Sequence, residues 1–307
     1  MTDFELAATH TLTDDQVHHV LELIELAYQH DGVAPLNEAA MLVLTDPPDA
    51  STTVHVLALG PDGTPCGYLL ADVSGDDAVH AECVVAPTAR RRGVATAMLR
   101  AFLDGRPAES GGHVPPPLQV WAHGGLPGAA ELAARLGFDA ARTLLRLSLV
   151  LPEDGVPAPE LPAGVTIRPF VPGQDDAAVL ALNAEAFASH PEQGAMDRRD
   201  LRQRVESDWF DPAGFFLAER DGDLVGFHWT KVHAHEGAGE VYVLGVAPQA
   251  QGLGLGSVLT QVGLRHLAEQ GLRTVMLYVE GDNAPALAVY RRQGFTEAAR
   301  DVLYVHR

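Results

Sequence analysis

The run from Glu240 to Ser257, EVYVLGVAPQAQGLGLGS, constrains the fold more than any other stretch of the chain. Val241, Val243, Gly245 and Val246 read as a short strand, closed by Pro248, which cannot continue a central ladder. Gln251, Gly252, Gly254 and Gly256 follow, and then Leu255, Val258, Leu259 and Val262 at helical spacing. A strand, a glycine-rich turn and a helix start form a cradle for a pyrophosphate. The first-turn N–H groups lack intrahelical partners, and the helix dipole favours negative charge there. Glycines let the backbone approach phosphates without interference from a Cβ. Such turns also occur for steric reasons alone, so one copy does not decide.

A second copy does more. Pro87, Arg90, Gly93 and Ala95 stand 161 positions before Pro248, Gln251, Gly254 and Gly256. Both copies fit Gln/Arg-x-x-Gly-x-Gly/Ala between a strand and an amphipathic helix. A dinucleotide fingerprint fits worse, because Gly252, Gly254 and Gly256 do not give Gly-x-Gly-x-x-Gly. The motif resembles the acetyl-CoA site of the GCN5-related N-acetyltransferases, and its duplication resembles the tandem members of that family. The resemblance implies an α/β fold of two acetyltransferase domains, each a mixed, mostly antiparallel sheet flanked by helices, with acetyl-CoA as cosubstrate and no metal.

The length fits two domains, since 307 residues is about twice the ~150 typical of one. A net charge of −20 argues against nucleic acid and against an anionic membrane surface. Cys66 and Cys83 have no metal-ligand spacing and offer no disulfide framework, so a reducing compartment is expected. The N-terminus lacks a charged-then-apolar signal pattern, and no 18-residue apolar run occurs. A soluble, cytoplasmic monomer acting on a small molecule is expected.

In chain order, Thr13 and Gln16 have capping-box spacing before a helix with Val17, Val20, Leu21 and Ile24 on one face. Strands are predicted at 53–59, 66–72 and near 78–85, and a helix over 93–103. Residues 152–164, PEDGVPAPELPAG, carry four prolines and read as a stiff linker between an N-terminal domain, 1–151, and a C-terminal domain, 165–307. Asp221-Gly222 marks a tight hairpin. Each half reads β-α-α-β-β-β-α-β-α-β.

The halves differ in chemistry. At the 161-residue offset Glu240 falls opposite Val79; past the motif the offset becomes 157, and Tyr278 falls opposite Trp121, Asn283 opposite Leu126 and Tyr290 opposite Ala133. In the family, a Tyr four residues before Gly-Phe protonates the leaving thiolate, and a carboxylate on the motif strand acts as base. Only the second half has both, in Tyr290 and Glu240, so it is expected to be active and the first half degenerate but CoA-binding. Backbone N–H groups within 243–246, where family members open a bulge, are candidates for the oxyanion site. The resemblance also assigns cofactor contacts in the second half to Leu244, Gly245, Val246, Gln251, Gly252, Leu253, Gly254, Leu255, Gly256 and Ser257. Asn283, Ala284, Pro285, Ala286, Leu287 and Ala288 continue that set. In the first half it assigns Cys83, Val84, Val85, Arg91, Arg92, Gly93, Val94, Ala95 and Thr96. The run Arg90-Arg91-Arg92 reads equally as a solvated patch or as phosphate contacts.

HPEQG, WFDPAGF, GFHWTKV and GEVYVLGV together resemble a narrower group of tandem members that acetylate a small thiol-bearing amine, the cysteinyl amine of a glucosaminyl-inositol. By position, that resemblance assigns substrate contacts to Glu38, Glu192, Lys231, Glu240 and Tyr278. Such polar groups suit an acceptor with many hydroxyls and a cationic amine. An enzyme for another small amine, such as an aminoglycoside, and a non-catalytic CoA sensor are the alternatives. His228, His233 and His235 mimic a metal cluster, but strand parity separates His228 from His233, and a solvated hairpin end is the favoured reading.

Overall fold

The computed structural model describes residues 4–45, 50–75, 77–105, 115–188, 191–234 and 236–307. Its contacts divide the chain into two compact units, residues 1–144 with 299–307, and residues 145–298.

The first unit begins with β1 (Glu5–Thr9), α1 (Asp14–Asp31) and α2 (Glu38–Thr45). A meander follows, β2 (Thr53–Leu59), β3 (Pro65–Asp72) and β4 (Val79–Val85), and then α3 (Val94–Gly105), β5 (Leu118–Ala122) and α4 (Ala129–Arg135). The capping box forms as its spacing predicts: Gln16 N–H donates to Thr13 Oγ1 at 3.3 Å, and Thr13 N–H to Gln16 Oε1 at 3.0 Å. The buried face of α1 is Val20, Leu23, Ile24 and Ala27, rotated slightly from the expected one. Alternation along the strands serves two cores. Leu57, Tyr68, Leu70 and Val84 meet α1 and α2, while Val56, Leu69 and Ala81 meet Met98, Leu99 and Phe102 of α3. Strands covered on both faces explain the nearly continuous apolar run of β3.

The second unit contains β7 (Val165–Pro169), α5 (Asp176–Ala186), α6 (Pro191–Gly194), α7 (Arg198–Val205), β8 (Phe215–Arg220), β9 (Asp223–His233) and β10 (Ala238–Val246). After these come α8 (Leu255–Glu269), β11 (Thr274–Glu280), α9 (Ala284–Arg292) and β12 (Thr296–His306). One short helix more than expected precedes β8. Asp221 and Gly222 have φ of 54° and 91°, the left-handed pair that a two-residue hairpin turn needs.

The sheets depart from a simple division at the proline-rich segment. In the first unit the strand order is β1-β2-β3-β4-β5-β12, and in the second β6 (Asp139–Val150)-β11-β10-β9-β8-β7. The part of β12 after Ala298 counts with the first unit, and the part of β6 from Leu145 counts with the second. Thus β12 pairs with β5 from Val302↔Ala122 to His306↔Leu118, while Leu145 and Leu147 of β6 pack with Val275 and Leu277 of β11. Residues 152–164 therefore lie inside the second unit's span. Gln261 Nε2 of α8 donates to Pro157 O at 3.1 Å, and Val156 packs against the adjoining core. Among the described residues, no helix is long and apolar enough to cross a membrane.

Candidate active site

In both units one parallel strand pair opens like a V. In the second, β10 and β11 pair at Ala238↔Thr274, Gly239↔Val275 and Glu240↔Met276, and there the ladder stops although the strands run on to Val246 and Glu280. In the first, β4 and β5 pair from Val79↔Leu118 to Ala81↔Val120 and then part. Parted strands leave edge amides and carbonyls for an extended, amide-bearing ligand to occupy as an added strand.

The second unit differs by one residue. The β9–β10 register shifts between Val241 and Val243, leaving Tyr242 as a bulge, whereas β3–β4 run without irregularity. The bulge thus lies just before the stretch 243–246 where it was expected. It also changes the alignment of the halves. Beyond the bulge Val246 opposes Gly226 as Val85 opposes Gly67; before it Glu240 opposes Lys231 as His80 opposes Asp72. Glu240 therefore corresponds to His80, and not to Val79 as constant spacing implied.

The turns after the two strands share one backbone conformation. Gly252 and Gly254 have φ of 83° and 77°, and their counterparts Arg91 and Gly93 have 63° and 86°. A left-handed L-residue costs ~1–2 kcal/mol, which accounts for glycine at three of these four positions. A Cβ at Gly93, Gly252 or Gly254 would meet nothing within 4 Å, so protein packing does not demand these glycines. Gly254 is the N-cap of α8 and offers no side-chain cap, which leaves first-turn N–H groups for a ligand. Leu255 and Leu287 turn their side chains into the core, leaving their backbones for any cofactor contact. Ser257 Oγ accepts from Gln293 Nε2 at 2.6 Å, tying the start of α8 to the end of α9.

The arginine run divides three ways. Arg90 donates to both Asp31 oxygens at 2.7 and 2.6 Å and to Val85 O at 3.1 Å. Those bonds hold the Asp31 carboxyl below the usual carboxylate range against the effect of burial. Arg91 reaches Glu131 at 3.3 Å in an exposed pair, and Arg92 is exposed. A cavity of about 570 Å³ opens beside this turn, lined by Cys83, Val84, Val85, Arg91, Gly93, Val94, Ala95 and Thr96, with Trp121, His123 and Tyr304. Arg92 is not among its lining residues. This cavity lies in the half that lacks the expected acid and base, so chemistry rather than volume has to choose the active half.

In the second unit, Glu240 stands on the last paired rung before the V opens. Its side chain is 10% exposed, and His233 Nε2 lies 2.7 Å from its Oε2. Lys231 faces Glu240 across the ladder, yet its Nζ sits 4.6 Å over the Trp209 ring and 5.3 Å over that of Tyr242. Arg204 Nε in turn donates to the Tyr242 hydroxyl at 2.9 Å. Tyr290 of α9 is buried edge-on against Phe295, in one core with Val241, and burial pushes its phenol up to about 12. Asn283 is the N-cap of α9, its Oδ1 accepting from Ala286 N–H at 3.1 Å, a bond typically worth ~1 kcal/mol. Tyr278 on β11 is 48% exposed. Glu38 begins α2 and Glu192 lies in α6, but their side chains, like the whole of His235, lie outside the described residues.

Two arrangements were not read from the sequence. His228 is fully buried rather than a solvated hairpin end. Its Nδ1 bonds Leu259 O at 2.6 Å, and burial pushes it down to about 4. The space for its ring exists because residue 263 is glycine; a Cβ there would overlap the imidazole. In the first unit, Asn37 Nδ2 donates to Glu82 at 2.6 Å, and His123 bridges Glu82 at 3.0 Å and Asp301 at 3.4 Å. Burial alone would lower His123, but the bonds to Asp301 and Glu82 outweigh it and push it up to about 9.

A parted parallel pair, a left-handed glycine turn and a helix start define an acetyl-CoA-dependent acetyltransferase of the GNAT type. Residues 179–295 match the acetyltransferase (GNAT) family. The mycothiol acetyltransferase of Thermomonospora curvata is 50% identical over 99% of this chain and 98% of that protein. A GCN5-related N-acetyltransferase from Sphaerobacter thermophilus superposes with a TM-score of 0.73 at 24% identity, covering 98% of this chain and 95% of its own. A tandem GNAT protein from the clavulanic acid biosynthesis pathway gives 0.66 at 22% identity, with 98% of each chain covered. At those identities the two structures show the fold. The chain belongs to the acetyltransferase (GNAT) family and, within it, to the mycothiol acetyltransferases.

Proposed function

We propose that the second unit transfers acetyl from acetyl-CoA to the cysteinyl amine of desacetylmycothiol, the cysteinyl-glucosaminyl-inositol, giving mycothiol and CoA. One observation carries the choice of half: Glu240 stands on the last paired rung where the parallel strands part, and its counterpart in the first unit is His80. That unit's buried Glu82, one residue past its last rung, is held by Asn37 and His123. The acceptor enters as an ammonium. Deprotonating an α-amino group of pKa ~8 at pH 7 costs ~1.4 kcal/mol, against ~4.6 for a lysine-like amine. A single carboxylate suffices for the former. The neutral nitrogen attacks the thioester carbon, the C–N bond forms, and backbone N–H groups at the β10 bulge receive the developing oxyanion. The C–S bond then breaks as the nitrogen gives its second proton to solvent, leaving the amide and the CoA thiolate.

Tyr290 serves the departing sulfur. Burial pushes its phenol up to about 12, so it is protonated at neutral pH and holds its proton tightly. We therefore assign it a hydrogen bond to the thiolate as charge develops, with solvent completing protonation. Lys231, Tyr278, Glu38 and Glu192 are assigned to the acceptor's polar groups, and residues 244–246, 251–257 and 283–288 to the cofactor. The first unit, with His80 and Ala133 in place of the base and the phenol, is assigned CoA binding without turnover. The residues assigned to that site are Cys83, Val84, Val85, Arg91, Arg92, Gly93, Val94, Ala95 and Thr96.

The test is purified protein with acetyl-CoA and desacetylmycothiol, read by product mass. An acetylated product that survives mild thiol exchange is the expected amide. A product that loses its acetyl group under that treatment is a thioester and overturns the assignment.

A further inference from the structure

With the acceptor entering as an ammonium, each acetyl transfer releases one net proton. The ammonium and acetyl-CoA become an amide, a free thiol and H⁺. Glu240 takes that proton, and its side chain, only 10% exposed, meets little water. A buried base that stays protonated stops after one turnover.

His233 is placed to empty it. Its Nε2 is 2.7 Å from Glu240 Oε2, and its side chain, 22% exposed, reaches nearer to solvent. The register explains the meeting. Glu240 opposes Lys231 and Ala238 opposes His233, so all four side chains lie on one face, and the bulge that breaks parity begins only after Val241. Lys231 is directly opposite the carboxylate, but its ammonium is drawn to the Trp209 and Tyr242 rings. Among the described residues, the ion pair at Glu240 is made by His233.

We propose that His233 is a positioning residue that carries the proton from Glu240 to solvent. The first transfer breaks an N–H bond of the acceptor ammonium and forms O–H on Glu240. The second breaks that O–H and forms N–H at His233 Nε2. The imidazolium then breaks its Nδ1–H to water, and proton exchange with solvent restores the Nδ1–H tautomer whose Nε2 accepts again. No electrons move and no further reactant is needed. The inference rests on Glu240 being the base.

The experiment compares His233→Ala, His233→Gln and Glu240→Gln by initial rate, after circular dichroism and acetyl-CoA binding show intact protein. His233→Ala should lower kcat by about tenfold or more, within the range for acid–base groups, with KM for acetyl-CoA nearly unchanged. Added imidazole should restore much of that rate with saturation. His233→Gln keeps an N–H donor for the carboxylate but cannot relay a proton, so it should be as slow as the alanine variant. A glutamine variant at the normal rate, or an alanine variant that imidazole does not help, overturns the relay. Normal turnover by Glu240→Gln would instead overturn the assignment of the base.

Discussion

The two cradles share a backbone and differ in what surrounds them. Both have a left-handed turn at matching positions, Arg91 with Gly93 and Gly252 with Gly254, and both follow a parallel pair that parts. The first has a cavity of about 570 Å³, with its arginine tied to Asp31. The second has the bulge, a carboxylate on the last paired rung and the buried phenol. Binding a pyrophosphate needs only oriented N–H groups and room, whereas acetyl transfer needs a base and a donor at fixed atoms. On the proposed assignment, the first cradle keeps binding and lacks the chemistry.

The comparison breaks most directly at Glu240. Glu240→Gln should lower kcat ~10²–10⁴-fold at neutral pH, and the deficit should shrink in alkaline buffer as more acceptor amine is already neutral. A pH-independent deficit would remove the base role. Tyr290→Phe keeps the packing against Phe295 and should cost more than tenfold in kcat, with acetyl-CoA KM changed little. A change confined to KM would make Tyr290 a binding residue.

A smaller effect separates the units by pH. His123 rises from its ordinary 6.5 to about 9 in the folded first unit. Its contribution is therefore complete below pH 6.5 and is lost as pH climbs through 9. The full swing is up to about 3 kcal/mol. Melting followed from pH 6 to 10 should show this loss, and His123→Gln should flatten it. An unchanged slope in the variant would place the proton elsewhere.

Much of this contrast was legible in the residues, and the remainder has identifiable physical reasons. Glycine spacing located both turns because left-handed φ has few other tenants, and Asp221-Gly222 located a hairpin for the same reason. The resemblance implied a bulge within 243–246, but its place at Tyr242 left no mark in the residues, since no residue type is required there. That bulge shifted the counterpart of Glu240 from Val79 to His80. His228 was misread because the feature that buries it is an absent side chain at Gly263, 35 residues further on. The allocation of β6 and β12 depends on long-range pairing, which alternating apolar residues alone do not specify. His233–Glu240 is likewise a product of register, and Asn37–Glu82–His123–Asp301 joins side chains from four separate stretches of the chain.

The proline-rich stretch offers the smallest effect. Gln261 and Val156 pin its centre to α8, while most of 159–164 is exposed. Limited proteolysis should cut within 159–164 before 155–158, with both units intact. Cutting first within 155–158 would mean that those contacts do not hold in solution.

The central claim, that one cradle turns over and the other only binds, is tested by one matched pair of substitutions. Gly93→Glu and Gly254→Glu put the same bulk and charge at corresponding turn positions, and a Cβ at either glycine meets nothing in the protein. Both share the strain of a left-handed φ, so folding is checked first by melting. The initial rate of mycothiol formation should then nearly vanish in Gly254→Glu and stay close to normal in Gly93→Glu. A folded Gly93→Glu that makes no product, beside an active Gly254→Glu, would contradict the assignment of the halves.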